Sequence, residues 1–118
     1  MKLDFDTWQA LVQLQADYAA AVDSGDWELW PTFFTADCLY KLQPRENHER
    51  GFPLATLSFD SQASLRDRVY GIKEALFHAP YYQRHVVGAP VIRGVGEDGI
   101  RCESNYAVFR TKLNGLST

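Results

Sequence analysis

From Trp8 to Val22 the side chains that repeat at spacings of three and four are Trp8, Leu11, Val12, Gln15, Tyr18, Ala19 and Val22, one face of a helix. From Ile100 to Thr111 the period is two: Ile100, Cys102, Ser104, Tyr106 and Val108 share one face, and Arg101, Glu103, Asn105, Ala107 and Phe109 share the other. Side chains line up every 3.6 residues on a helix and every second residue on a strand, so neither stretch can adopt the other's structure. The chain therefore has to combine helices with half-buried strands, an α+β arrangement in which helices cover one side of a bent antiparallel sheet.

The intervening segments follow the same two periods. Asp6 is the expected N-cap of the first helix and Gly25 its C′ residue. A short second helix is predicted from an Asp26 cap through Trp27, Leu29, Trp30, Phe33 and Phe34, with Pro31 tolerated in its first turn. The aromatic set Trp8, Trp27, Trp30, Phe33 and Phe34 reads as core or interface. Cys38 to Gln43 alternates as a half-buried strand and Pro44 closes it; residues 45–53 read as a polar loop and Leu54 to Phe59 as a second strand. Asp60 or Ser61 then caps a helix with Leu65, Val69, Ile72 and Leu76 on one face, ending before Pro80. Gln83 to Val95 is expected to be a single long strand, bulged or bent at Gly88 and Pro90, and the Gly96-Glu97-Asp98-Gly99 turn leads into Ile100. The whole chain, residues 1–118, reads as a single domain, and the Asn114-Gly115 turn with almost no strand behind it reads as a C-terminal truncation.

A chain of 118 residues has room for one core. Fifteen acidic residues against 12 basic ones give a net charge of −3 with no basic stripe, which argues against nucleic acid as a partner. No apolar run reaches the roughly 18 residues that span a bilayer, so no membrane association is expected. The Met1-Lys2-Leu3-Asp4 start lacks the apolar core of a secretion signal, and Cys38 and Cys102 read as two reduced thiols, which together point to the cytoplasm.

Redox and nucleotide chemistry impose ligand spacings that can be checked directly. A Rieske cluster needs two Cys and two His; Cys38 and Cys102 have no His beside them. His48, His78 and His85 include no pair at helical i, i+4 spacing, so no metal site is expected. Gly94-Val95-Gly96 lacks the third glycine and the following helix of a phosphate cradle, and no Gly-x-Ser-x-Gly elbow is present. His85, in Tyr81-Tyr82-Gln83-Arg84-His85-Val86-Val87, carries two readings. With a carboxylate from Asp23 or Asp37 it could serve as the general base of a stand-alone dehydratase, isomerase or cyclase. Alternatively it is a hydrogen-bonded structural or interface histidine, the preferred reading. The Asp23-Ser24-Gly25-Asp26-Trp27 segment reads as a helix end followed by a cap, and Arg45, Glu46, His48, Glu49 and Arg50 as a solvated charge mixture that could form a docking edge.

Four blocks carry a resemblance. They are residues 17–40, from Asp-Tyr-Ala-Ala-Ala-Val-Asp-Ser-Gly-Asp-Trp to Ala-Asp-Cys-Leu-Tyr; Arg-Glu-Asn at 45–47 with Arg-Gly-Phe-Pro-Leu-Ala-Thr-Leu at 50–57; Leu-Arg-Asp-Arg-Val-Tyr-Gly at 65–71; and Tyr-Tyr-Gln-Arg-His-Val-Val-Gly at 81–88. In this order they resemble the small (beta) subunits of aromatic-ring-hydroxylating dioxygenases, most of all the salicylate 5-hydroxylase small components. The first block alone is shared across the wider nuclear transport factor 2-like superfamily. The resemblance implies a cone-shaped, cystatin-like curved antiparallel sheet with about three helices in the N-terminal half and further strands beyond Thr118. It implies a non-catalytic subunit, a trimer within a hexamer with alpha subunits. No cofactor is then expected on this chain: the Rieske 2Fe-2S cluster and the mononuclear Fe(II) belong to the alpha partner, and NAD(P)H enters through a reductase. Arg45, Glu46, Arg50, Arg84 and His85 are the interface candidates.

Overall fold

The computed structural model describes residues 3–51, 57–74 and 81–112. Its elements are α1 (Phe5–Ser24), a 3-10 helix (Trp30–Phe33), β1 (Tyr40–Leu42), α2 (Arg45–Glu49), β2 (Leu57–Phe59), α3 (Gln62–Glu74), β3 (Tyr81–Val87), β4 (Val91–Gly96), β5 (Gly99–Glu103) and β6 (Tyr106–Lys112). All the strand pairs are antiparallel: β1 with β2, β3 with β6 and β4 with β5. The chain forms two compact units, residues 27–78 and residues 1–26 with 79–118.

The unit of residues 27–78 is built on an aromatic cluster. The Trp30 ring meets Trp27, Phe34 and Tyr40 edge to face at centroid distances of 5.9, 5.9 and 5.8 Å. Tyr40 continues to Phe34 at 5.7 Å and to Phe59, its partner in the β1–β2 ladder, at 6.1 Å. Such pairs contribute about 0.5–1.5 kcal/mol each beyond the area they bury. Trp30 and Pro31 are buried, as are Leu65 and Val69 on α3, two of the four apolar residues expected on that helix face. Ile72 and Leu76 lie outside the described side chains. The start of α3 is fastened by Gln62, whose amide donates to the carbonyls of Pro31 (3.1 Å) and Phe34 (2.9 Å) while its backbone N–H reaches Ala36 O (3.1 Å). Ser61 Oγ accepts the Ser64 N–H at 3.1 Å, the capping role expected of Asp60 or Ser61.

Several boundaries differ from the sequence reading. Helical bonding after Gly25 begins at Trp30, with Leu29 as the cap residue and not Asp26, because a helix started at Asp26 would need a backbone N–H that Pro31 does not have. Residues 45–49 form a short helix where a loop was expected, stabilised by ion pairs one turn apart, Arg45–Glu49 (2.7 Å) and Arg50–Glu46 (3.0 Å). Of the expected second strand, Leu57–Phe59 is observed and the remainder lies outside the described residues.

In the other unit α1 packs on β3. The helix is capped by Asp4, not Asp6: Asp4 Oδ1 accepts the Thr7 N–H at 2.7 Å. Its far end closes in a Schellman motif, with Asp26 N bonded to Ala21 O (2.9 Å) and Gly25 N to Val22 O (3.2 Å), and Gly25 takes the left-handed φ of 70° that the motif requires. The two arms that the sequence presents as single strands are each divided, β3 from β4 at residues 88–90 and β5 from β6 at residues 104–105. Pro90 offers no N–H to the ladder, yet Gly88 N still donates to Asn105 O at 2.7 Å, so the arms stay paired through the bend. The register slips by one residue at this bend and again between Ile92 and Gly94, each time with the extra residue on the first arm.

Candidate functional site

The α1-facing side of the β3–β6 ladder follows from strand alternation. Gln83 and His85 are two residues apart and both reach α1. Gln83 Nε2 donates to Val22 O at 3.2 Å. Asp23 Oδ2 accepts the His85 backbone N–H at 2.8 Å, and its other oxygen lies 2.6 Å from His85 Nδ1. One carboxylate therefore holds both the main chain and the ring of the same residue. The Asp23 side chain is 5% exposed and that of His85 23%. By contrast Arg45 and Glu49, an ordinary surface pair, are 89% and 60% exposed. A carboxylate on Nδ1 orients the ring and, in the neutral imidazole, favours the tautomer with the proton on Nδ1.

β6 adds Tyr106 to this face. Its ring centroid lies 6.0 Å from the imidazole, with the planes tilted by 31°. Val87 and Val108 flank it; the register places Val108 opposite His85 and Tyr106 opposite Val87. At the bend, Gln15 of α1 donates to Ser104 Oγ at 2.8 Å, so this helix contacts the ribbon at three points along its length.

The sequence-derived candidates are distributed as follows. Asp23 is the carboxylate that meets His85; Asp37 is an exposed residue of the 27–78 unit. Arg84 projects to the ladder face opposite His85, beside exposed Tyr82, Val86 and Phe109. Arg45, Glu46 and Arg50 lie exposed on α2, paired along the helix. Neither Gln83 nor Tyr106 was singled out from the sequence. Gln83 could have been found from its two-residue offset to His85. Tyr106 could not, because its place beside His85 depends on both register slips. An open depression of ≈ 410 Å³ lies at the β4–β5 end of the ribbon, lined by Gly94, Gly96, Asp98 and Arg101 among others, away from His85. Among the described residues no three His, Cys, Asp or Glu side chains converge as a metal ion would require, and no helix is long and apolar enough to cross a membrane.

Comparison with known proteins places this architecture. Residues 6–115 match the family model of the SnoaL-like domain, an α+β fold of the nuclear transport factor 2-like kind. The anthranilate 1,2-dioxygenase small subunit of Burkholderia cepacia is 35% identical over 97% of this chain and 71% of its own length. A terephthalate 1,2-dioxygenase terminal oxygenase component subunit beta of Comamonas sp. is 33% identical over 89% of this chain and 68% of its own. Among solved structures, a Novosphingobium aromaticivorans chain assigned as the beta subunit of an aromatic-ring-hydroxylating dioxygenase superposes with a TM-score of 0.86 at 36% identity, covering 95% of this chain and 71% of that one. The chain thus belongs to the SnoaL-like domain family and, within it, to the small (beta) subunits of aromatic-ring-hydroxylating dioxygenases.

Proposed function

We propose that this chain is a structural beta subunit of a Rieske non-haem iron oxygenase that hydroxylates an aromatic acid of the salicylate type in aromatic catabolism. The observation that carries the reading is the 35% identity to a dioxygenase small subunit across 97% of the chain. On this reading the Rieske cluster and the mononuclear iron sit on an alpha partner, electrons come from NAD(P)H through a reductase, and the assembly works in the cytoplasm as a hexamer with a beta trimer. The docking residues are Arg84 with exposed Tyr82, Val86 and Phe109 on one ladder face, and Arg45, Glu46 and Arg50 on α2. Large apolar side chains held in water beside a guanidinium are the composition of a protein interface.

The reading is tested by reconstitution. The alpha chain, ferredoxin, reductase and NAD(P)H are assayed on salicylate with and without this chain. Hydroxylation that rises or becomes longer-lived when the chain is added is the expected result; a rate and half-life that do not respond to it would refute the proposal.

A further inference from the structure

We infer that the tip of the β4–β5 ribbon binds a small aromatic monocarboxylate, with the Arg101 guanidinium as the group that takes the ligand's carboxylate. This inference does not depend on the subunit reading, because it rests on the charge and shape of the tip alone.

Its first support is how Arg101 is seated. Arg101 lies opposite Gly94 in the ladder, and a β-carbon on Gly94 would stand 3.2 Å from Arg101 Nη2 and 3.6 Å from Cζ and Nε. The guanidinium therefore occupies the space that any other residue at 94 would fill with its own side chain. A guanidinium held in this way has already lost part of the rotamer freedom that binding otherwise costs. The second support is that this cation has no counter-charge. Glu103, two residues along and on the same face, is engaged by Arg93 at 3.3 Å, and the register slip between Ile92 and Gly94 makes Arg93 the extra residue that reaches it. No carboxylate among the described residues pairs with Arg101. The third support is the shape and charge of what Arg101 borders. The open depression of ≈ 410 Å³ is lined by Gly94, Gly96 and Gly99, whose bare backbone admits a flat ligand against the peptide planes. Asp98 folds back over Gly96, its Oδ1 3.1 Å from where a β-carbon there would lie, and forms no ion pair with Arg101. A cation and an anion lining the same depression accept one negative charge on the ligand and disfavour a second. A planar carboxylate also matches the guanidinium fork, accepting two parallel N–H bonds.

The experiment titrates the uniformly 15N-labelled 118-residue chain with benzoate and, separately, with benzamide, which keeps the ring and lacks the charge, and with acetate, which keeps the charge and lacks the ring. The Arg101 Nε–Hε signal and the Gly94 and Gly96 amide signals are the readout. Benzoate should shift all three saturably, with benzamide and acetate each weaker by about tenfold. Inorganic phosphate, a largely dianionic probe at neutral pH, should also bind more weakly than benzoate. Arg101→Gln should abolish benzoate binding. Gly94→Val keeps the charge but takes the guanidinium's seat with a strand-favouring residue, and should weaken binding about tenfold. Because the ligand comparisons use the unaltered chain, they decide the matter even where a variant fails to fold. Equal affinity in any one of these comparisons, or no saturable shift at Arg101, would overturn the inference.

Discussion

Asp23 stands where a carboxylate is electrostatically misplaced, in the last turn of α1 beside the carbonyl end of the helix, which has no basic residue in that turn. The two contacts to His85 explain why it is there. Replacing it by Ala leaves the His85 N–H and ring without their acceptor, and we expect a loss of about 2 kcal/mol in urea unfolding, with Asp23→Asn losing less because its amide oxygen still accepts from the backbone. At the other end of α1, Asp4 sits well with the helix dipole. The Thr7 N–H it accepts holds its carboxyl below the ordinary carboxylate range. A depressed folded-state pKa means that the stabilisation is complete above the unfolded-state value and is lost as the pH falls through the lowered one. The unaltered chain should therefore melt above Asp4→Ala at neutral pH, and the gap in melting temperature should close in strong acid. Sequence reasoning named His85 together with Asp23 or Asp37 but could not choose between the two, since only the packing of α1 on β3 brings one of them within 2.6 Å.

Elements were legible wherever a period ran uninterrupted and blurred wherever backbone chemistry intervened. The α3 positions Leu65 and Val69 and the hairpin turn follow from spacing alone, whereas on α1 the buried side chain is Ala21, off the expected face, and Val12 of that face is exposed. Pro31 moved the second helical segment to Trp30, and Gly88 with Pro90 divided an expected strand, each through a missing N–H or an unpaired residue that apolar patterning does not register. The two register slips have a further consequence. Both extra residues lie on the first arm, so Tyr106 and Val108 keep the shared face expected from alternation although their partners differ from those of an unbulged hairpin. Two substitutions test the element ends and packing. Gly25→Ala forces a β-carbon into the left-handed region and should cost about 1 kcal/mol. Leu65→Ala removes a side chain with no exposed surface and should cost about 3 kcal/mol, both read from the shift in urea midpoint.

For the molecule as a whole, four sequence blocks in register identified the family. What no sequence pattern could give is the distribution of surface. Among the described residues the buried apolar set is small, Ala21, Trp30, Leu65 and Val69, while Tyr82, Val86 and Phe109 stand 58–69% exposed around Arg84 on one ladder face. A surface of this kind gains most by covering itself with a partner. Arg84→Glu combined with Phe109→Asp should therefore weaken partner binding more than tenfold, measured by calorimetric titration, while leaving the melting temperature of the isolated chain within a few degrees. The central claim is subunit identity, and co-purification tests it most directly: this chain, tagged, is co-expressed with an oxygenase alpha chain that bears Cys-x-His and Cys-x-x-His cluster ligands. The account predicts that the alpha chain is retained stoichiometrically and carries its iron–sulfur absorbance through the purification; a tagged chain that emerges alone, with the alpha chain folded and unbound in the flow-through, would contradict it.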